Sequence, residues 1–283
     1  MAQGKIIKFV GETCQHHHFK DDDIEEVTIK YNAKISDERQ IDTIAIENSL
    51  VKDIRKFQRA SANKMRKQLG SNPVKNVGKL KIDPAPLQKT LFNSLIEGYK
   101  KGVIKAESDL EAKKKKMQEG EIDSEALEAL EAYAFIRSKN LVALTISGVE
   151  TTIANGIADG KGTKQIAREL RPQLEDLHTQ VAPKYDEKGN LIRKGYTRVI
   201  PAKLRAEMIA RTEVIQASNL GRLNTYAVNG ISKVEGVVAG DERTCDLCMG
   251  LIDGKVYTVN EAKGLIPVHT FCRCVFVPVL EGI

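Results

Sequence analysis

The chain has 283 residues, a formal net charge of +6, 29% charged side chains and 5% aromatic ones, with no tryptophan. This length allows one large domain or two modest domains with a proper core, and the composition is typical of a helix-rich protein. Lysine and glutamate are interspersed along most of the chain. The net positive charge therefore permits contact with nucleic acid but does not by itself indicate a nucleic-acid-binding protein.

Hydropathy indicates a protein that is not built around a membrane. We expect no apolar run long enough to cross a bilayer, and the apolar core of Met1–Val10 is too short for a signal peptide. We therefore expect the chain to be made, and to stay, in a reducing cytoplasm.

The first thirty residues contain a group of potential metal ligands. Cys14 and His16–His18 precede three aspartates, Asp21–Asp23. Adjacent histidines project in different directions, so we interpret this stretch as a surface segment rather than a metal site. Val27–Tyr31 alternates apolar and polar residues and predicts a short strand.

A long helix is predicted from Ser36 to Leu69, where apolar residues recur at spacings of three, four or seven. Gly70–Pro73 ends it, and a polar connector continues to Asp83. We therefore predict an N-terminal extension over residues 1–82.

Residues 83–150 predict a helical hairpin. Asp83–Pro86 is a good helix start, and apolar residues then follow at steps of four. Lys113–Lys116 is interpreted as a solvated helix end rather than a phosphate site. Ser124 is predicted to cap the second helix, in which apolar residues keep a near-heptad spacing from Leu127 to Leu144.

Residues 151–177 predict two shorter helices separated by a break at Asp159–Gly162, with Thr163 as the cap of the second. Gly160–Thr163 lacks the full spacing of a phosphate loop, so we interpret it as a turn. Val181–Ile200 predicts a protruding hairpin that turns at Lys188–Asn190.

Pro201 opens a long helix that is predicted to reach about Asn229 and to stop at Gly230. Apolar or small residues surround most of its circumference, so we expect it to be central rather than peripheral. Arg211 and Glu213 stand in its middle and must find partners or water.

The C-terminal forty residues hold the clearest chemical signal. Cys245 and Cys248 form a C-x-x-C pair, and twenty residues later His269, Cys272 and Cys274 form H-x-x-C-x-C. Four of these five side chains would complete a tetrahedral zinc shell, and the spacing does not decide which four. Closing the loop costs on the order of 3 kcal/mol, whereas a structural zinc site returns roughly 10–16 kcal/mol in small peptides.

The spacing of these cysteines also permits states without zinc. A pair of disulfides would need an oxidising compartment, and buried free thiols would need no metal. Catalytic zinc is disfavoured because so many soft ligands would close the coordination sphere. Three short strands, at Val234–Val238, Lys255–Val259 and Val275–Val279, are predicted to carry the metal knuckles, over about residues 233–280. The predicted fold class is thus mainly α (α+β), with helical N-terminal and central parts and a small C-terminal zinc-clipped β element.

Several motifs occur together: A-R-T-E at 210–213, Asn219, D-E-R-T-C-D-L-C at 241–248, and P-V-H-T-F-C-R-C at 267–274. In this combination the chain resembles the phage Mu F-like head morphogenesis family, the minor head proteins of tailed bacteriophages. The resemblance covers about Thr151–Pro278 and implies a third domain at residues 151–283.

The resemblance implies a structural virion component, not an enzyme. It would be made in the host cytoplasm, join the portal protein at the portal vertex in multiple copies, and lie in or beside the head. There it would assist procapsid assembly and DNA packaging or delivery, with the major capsid or scaffold protein as further partners.

Two other classes stay open. One is an enzyme, a nuclease or toxin-like transferase carrying a structural zinc domain, although no catalytic set is visible in the N-terminal half. The other is a zinc-clipped protein that makes weak nonspecific DNA contacts through Arg243, Lys255, Lys263 and Arg273.

Overall fold

The computed structural model describes residues 43–111, 124–241 and 244–279. Predictions for Cys14, His16–His18, Val27–Tyr31, Lys113–Lys116 and Arg243 lie outside these residues. The described chain is mainly helical with small antiparallel sheets, which confirms the predicted fold class.

Eight helices and seven strands follow one another in the described residues. The helices are α1 Ile44–Leu69, α2 Pro73–Asn76, α3 Ala85–Glu111, α4 Ser124–Ala158, α5 Thr163–Leu170, α6 Ala202–Val228, α7 Asp246–Leu251 and α8 Val259–Ala262. The strands are β1 Leu177–Val181, β2 Lys184–Tyr185, β3 Leu191–Arg193, β4 Tyr196–Ile200, β5 Lys233–Val237, β6 Val256–Thr258 and β7 Val275–Pro278.

These elements form two compact units. The first contains the described residues of 43–49, 92–130 and 208–279, and the second contains 50–91 and 131–207. The limits fall inside long helices. The domains predicted at 1–82, 83–150 and 151–283 stay predictions.

The first unit is built around α6 and a three-stranded sheet of order β6-β5-β7, all antiparallel. Its core contains apolar side chains of α3 and α6, the sheet, and three cysteines: Ala106, Leu110, Ile215, Leu223, Tyr226, Val234, Ile252, Phe276, Cys248, Cys272 and Cys274. The cysteine region is therefore continuous with the main core.

Close packing of α3 on α6 depends on glycine. A Cβ added at Gly102 would lie 1.9 Å from the carbonyl oxygen of Ser218, and one added at Gly221 would lie 2.3 Å from that of Tyr99. The two helix backbones thus approach closely enough that no side chain fits between them at these positions.

The second unit packs α5 and part of α1 against the C-terminal part of α4. Its core includes Met65, Leu80, Ile153, Ile166 and Leu170. The predicted hairpin is confirmed: β1 pairs with β4 and β2 with β3, and Gly189 takes a positive φ of 82° in the turn.

Two local predictions need correction. The second helix of the hairpin predicted within residues 83–150 continues to Ala158, so residues 151–158 belong to α4 rather than to a separate helix. Thr163 is the first residue of α5, and Gly162 occupies the N-cap without a side-chain hydrogen bond. Residues 145–158 are mostly small or apolar, so no strong breaker interrupts the helix before Asp159–Gly162.

The expectation that no apolar run could cross a bilayer is also corrected. Within the described residues, α4 is long and apolar enough to span a membrane by length and composition, and about a third of the relevant stretch is buried. A core helix of a water-exposed protein passes the same test, so this is weak support for a span.

The long helix of the sequence analysis is confirmed as α6, with Gly230 at a φ of 71° two residues beyond its end. Several of its polar residues are buried alongside the apolar ones, including Arg211, Glu213, Ser218, Asn219 and Arg222. The helix is therefore central, as its composition predicts.

Candidate metal centre

The C-x-x-C pair lies at the start of a short helix. Cys245 is the N-cap of α7, and its Sγ accepts a hydrogen bond from the backbone N–H of Cys248 at 3.4 Å. This turn brings both side chains to one side of the chain, with Cys248 buried and Cys245 half-buried.

The second half of the motif reaches the same place from the loop that precedes β7. His269 Nε2 lies 3.1 Å from Cys248 Sγ. Its Nδ1 lies 2.6 Å from the carbonyl oxygen of Thr270, so we assign the proton to Nδ1. A neutral imidazole held in this way presents the Nε2 lone pair, which is the usual arrangement of a histidine that binds a metal.

The candidate ligand atoms form two groups that share Cys248. Cys245, Cys248 and His269 lie within 4.8 Å of one another, and so do Cys248, Cys272 and Cys274. The structure therefore brings all five predicted ligands around one thiol. Which four would bind an ion stays a prediction.

Proximity of the thiols alters their acidity. Cys272 accepts hydrogen bonds from the Cys248 and Cys274 thiols, which holds the pKa of Cys272 well below its usual range. The same hydrogen bond to Cys272 raises the pKa of Cys248. Burial adds to the cost of more than one thiolate, and a cation at this place would remove that cost.

The chemistry of the donors fits zinc. Cys245, Cys248, Cys272 and Cys274 are all free thiols, so the disulfide alternative is not realised among them. Soft sulfur donors together with one imidazole are the ligands that structural zinc sites use. The cluster could hold a metal ion, and its burial in the core suits a structural rather than an open catalytic site.

A salt bridge closes the loop around the cysteines. Both terminal nitrogens of Arg273 donate to the two carboxylate oxygens of Asp241 at 2.5 Å. Sequence analysis considered Arg273 as a residue for weak DNA contact, whereas the structure places it in a bidentate ion pair with Asp241. Lys255 and Lys263 are exposed.

Two aromatic residues, Tyr257 and Phe271, lie near the candidate ligands, and both are partly buried. Tyr257 meets Phe276 edge to face, with ring centroids 6.1 Å apart, and its hydroxyl donates to the carbonyl oxygen of Leu251. Phe271 is half-buried with a φ of 63°. Neither arrangement resembles a stacking platform for bases.

A buried polar network, which sequence reasoning missed, lies behind the cysteines. Arg222 donates to the carbonyl oxygen of Phe276 at 2.9 Å and lies 3.4 Å from Asp109, whose carboxylate also accepts from the Tyr226 hydroxyl at 2.7 Å. Arg222 is fully buried. A lone arginine in a helical pattern usually indicates a solvated face, so the sequence carried no signal for this role.

Comparison with known families gives one match. A family model described as "Phage Mu protein F like protein" matches residues 147–277, a little under half of the chain. No curated protein and no solved structure matches the chain. The matched segment contains all five candidate ligands, α6 and the three-stranded sheet.

Proposed function

We propose that this chain is a minor head protein that joins the portal vertex, because residues 147–277 match the model of the phage Mu protein F-like family, which suggests a phage head morphogenesis protein. The observation that carries the proposal is the family match over the segment that holds the cysteine cluster. In this role the protein assists procapsid assembly and the packaging or delivery of DNA.

The proposed partners are the portal protein and, beside it, the major capsid or scaffold protein. Exposed apolar side chains in the second unit support a partner contact, because water-exposed apolar groups gain free energy when another subunit covers them. On α4 these are Phe135, Ile136 and Leu144, and on the hairpin they are Tyr185, Leu191, Ile192 and Tyr196. We propose that several copies surround the portal, in the head interior or at the portal vertex, where neighbouring subunits cover these side chains.

We propose that zinc, held by four of Cys245, Cys248, His269, Cys272 and Cys274, has a structural role. The ion would replace protons shared among buried thiols and fix the loop before β7 on the core of the first unit. Members of the family are generally structural proteins, and we propose no catalytic activity for this chain.

A DNA-binding role for the metal region receives little support. Arg273 is paired with Asp241, and the ring of Tyr257 packs against Phe276. Contact with packaged DNA would then be weak, nonspecific and strongly salt-dependent.

The portal contact can be tested with purified components. The chain and the portal protein of its phage are mixed and separated by size-exclusion chromatography with light scattering. We expect co-elution, and we expect Ile136→Glu, which places a charge at a side chain that is 55% exposed, to weaken it at least 10-fold.

Ala60→Glu is the control, since it adds the same charge at an exposed position of the second unit on α1, which carries none of the apolar side chains named above. Co-elution that survives Ile136→Glu would exclude this face as the contact. Separate elution of the unmodified proteins would contradict portal binding itself.

A further inference from the structure

Asn219, on α6, bridges the helix to the strand that follows the last candidate ligands. Its side-chain Nδ2 donates to the carbonyl oxygen of Cys274 at 3.3 Å, and its Oδ1 accepts from the backbone N–H of Phe276, also at 3.3 Å. The same Nδ2 lies 3.1 Å from the carbonyl oxygen of Ile215, one turn earlier in the helix.

The side-chain amide of Asn219 therefore bonds to the backbone on both sides of Val275. It donates to the carbonyl before Val275 and accepts from the N–H after it, as the backbone of a neighbouring strand would. Asn219 is only 2% exposed, and Cys274 only 3%. Because water does not reach these groups, loss of the amide would leave a buried carbonyl and a buried N–H to find new partners.

The strand held in this way is also fixed one residue further on, where Arg222 donates to the carbonyl oxygen of Phe276. Asn219 and Arg222 are three residues apart and so share one face of α6. That face carries no candidate ligand, yet it sets the position of the backbone on which Cys272 and Cys274 stand.

We propose that Asn219 is a positioning residue of the metal centre: it fixes the backbone at Cys274 and Phe276, and so fixes the thiols of Cys272 and Cys274 relative to Cys248. This inference rests on the proposed metal site. Groups behind a ligand commonly change metal affinity by about 10-fold to 100-fold when removed, because ligands that are no longer pre-oriented pay that ordering cost on binding.

The test is a chelator competition titration with zinc, on Asn219→Ala and on the unmodified chain, under conditions where circular dichroism shows both to be folded. We expect the variant to bind zinc about 10-fold more weakly. Cobalt substituted for zinc reports geometry independently, because its absorption bands depend on the symmetry of the thiolate shell. We expect these bands to change in Asn219→Ala.

Ser218→Ala is the matched control. Ser218 is the neighbouring residue, is equally buried, and donates to the carbonyl oxygen of Gly98 on α3 rather than to the metal-bearing strand. We expect Ser218→Ala to lower stability while zinc affinity and the cobalt spectrum stay unchanged. Equal zinc affinity in the two variants would overturn the proposal and assign Asn219 a general packing role.

A measurement on the unmodified chain covers the case in which Asn219→Ala does not fold. In an NMR spectrum of the ¹⁵N-labelled protein, the side-chain amide of Asn219 is followed while zinc is removed with a chelator. We expect its resonances to shift, and those of Asn140, on the exposed face of α4, to stay in place. An unmoved Asn219 signal would contradict the proposal. A protein that binds no zinc at all would instead refute the metal site.

Discussion

Glu47 and Arg211 form an ion pair inside the first unit. Arg211 Nε donates to Glu47 Oε2 at 2.7 Å, and the two side chains are only 1% and 11% exposed. Thr43 also donates to the Glu47 carboxylate. The ion pair connects the first turn of α1 to α6. Its charges are compensated only as long as both partners are present.

Arg211→Met should therefore destabilise the protein by ~3 kcal/mol, because it leaves the Glu47 carboxylate buried without its main counter-charge. The denaturant midpoint measures this loss. The double variant Glu47→Met with Arg211→Met should recover most of it, since no buried charge then stays unpaired. Equal midpoints for the single variant and the unmodified protein would contradict the role of the pair.

A second residue-level prediction concerns the bidentate salt bridge between Arg273 and Asp241. Arg273→Lys keeps the positive charge but loses the two parallel hydrogen bonds, so we expect zinc to be extracted about 5-fold faster by a chelator. Lys263→Arg, at an exposed position of the same region, is the control. An unchanged rate of zinc extraction in Arg273→Lys would indicate that this salt bridge does not fix the loop before β7.

Residue types indicated the candidate metal ligands but not the residues that support them. Cysteine and histidine at these spacings have few other uses, so Cys245, Cys248, His269, Cys272 and Cys274 could be named without coordinates, and the structure brings them together. The burial of Arg222 and Asp109 could not be predicted from the sequence, because the two residues that pair with each other lie far apart along the chain. Asn219 was noticed as part of a motif, while its two strand contacts required the fold.

At the scale of elements, the contact between α3 and α6 depends on glycine. Gly102→Ala should destabilise the protein by about 2 kcal/mol or more, because the new methyl group would meet the backbone of Ser218, which cannot move aside as a side chain could. Thermal unfolding followed by circular dichroism measures the change.

Gly78→Ala provides the comparison, since a Cβ at Gly78 would meet nothing within 4 Å. We expect its unfolding free energy to lie within about 1 kcal/mol of the unmodified value. If Gly102→Ala were as harmless as Gly78→Ala, the close approach of the two helices would be wrong.

Periodicity predicted most elements because their buried faces repeat regularly. The three strands of the first unit agree with the sequence expectation within one residue at each end, whereas the hairpin begins at Leu177 rather than at Val181. The prediction of a separate helix over residues 151–158 was wrong, because no strong helix breaker stands between Leu144 and Asp159 and α4 continues through this stretch. The close packing of α3 on α6 could not be predicted from the sequence, because Gly102 and Gly221 can equally be interpreted as positions that merely weaken a helix.

At the scale of the whole molecule, the metal should stabilise one part of the chain more than the other. The second unit has its own apolar core of α1, α4 and α5 side chains and no candidate metal group among its described residues. Removal of zinc should therefore loosen the sheet of the first unit while most helical signal persists. At a free zinc concentration 100-fold above the dissociation constant, the linked stabilisation would be about 2.7 kcal/mol.

Hydrogen exchange with and without a chelator measures this difference by segment. We expect faster exchange around β5 and β7 after zinc is removed, and little change in α5. Cys248→Ser should show the fast pattern even with zinc present, because Cys248 belongs to both ligand groups. Uniform protection in both states would contradict a structural metal.

The functional account is tested most directly by quantitative mass spectrometry of purified procapsids and mature virions of the phage that encodes this chain. The account predicts that the chain is present in procapsids at a fixed ratio to the portal protein, and that this ratio is lost when the portal protein is omitted. Absence of the chain from both particles would contradict it.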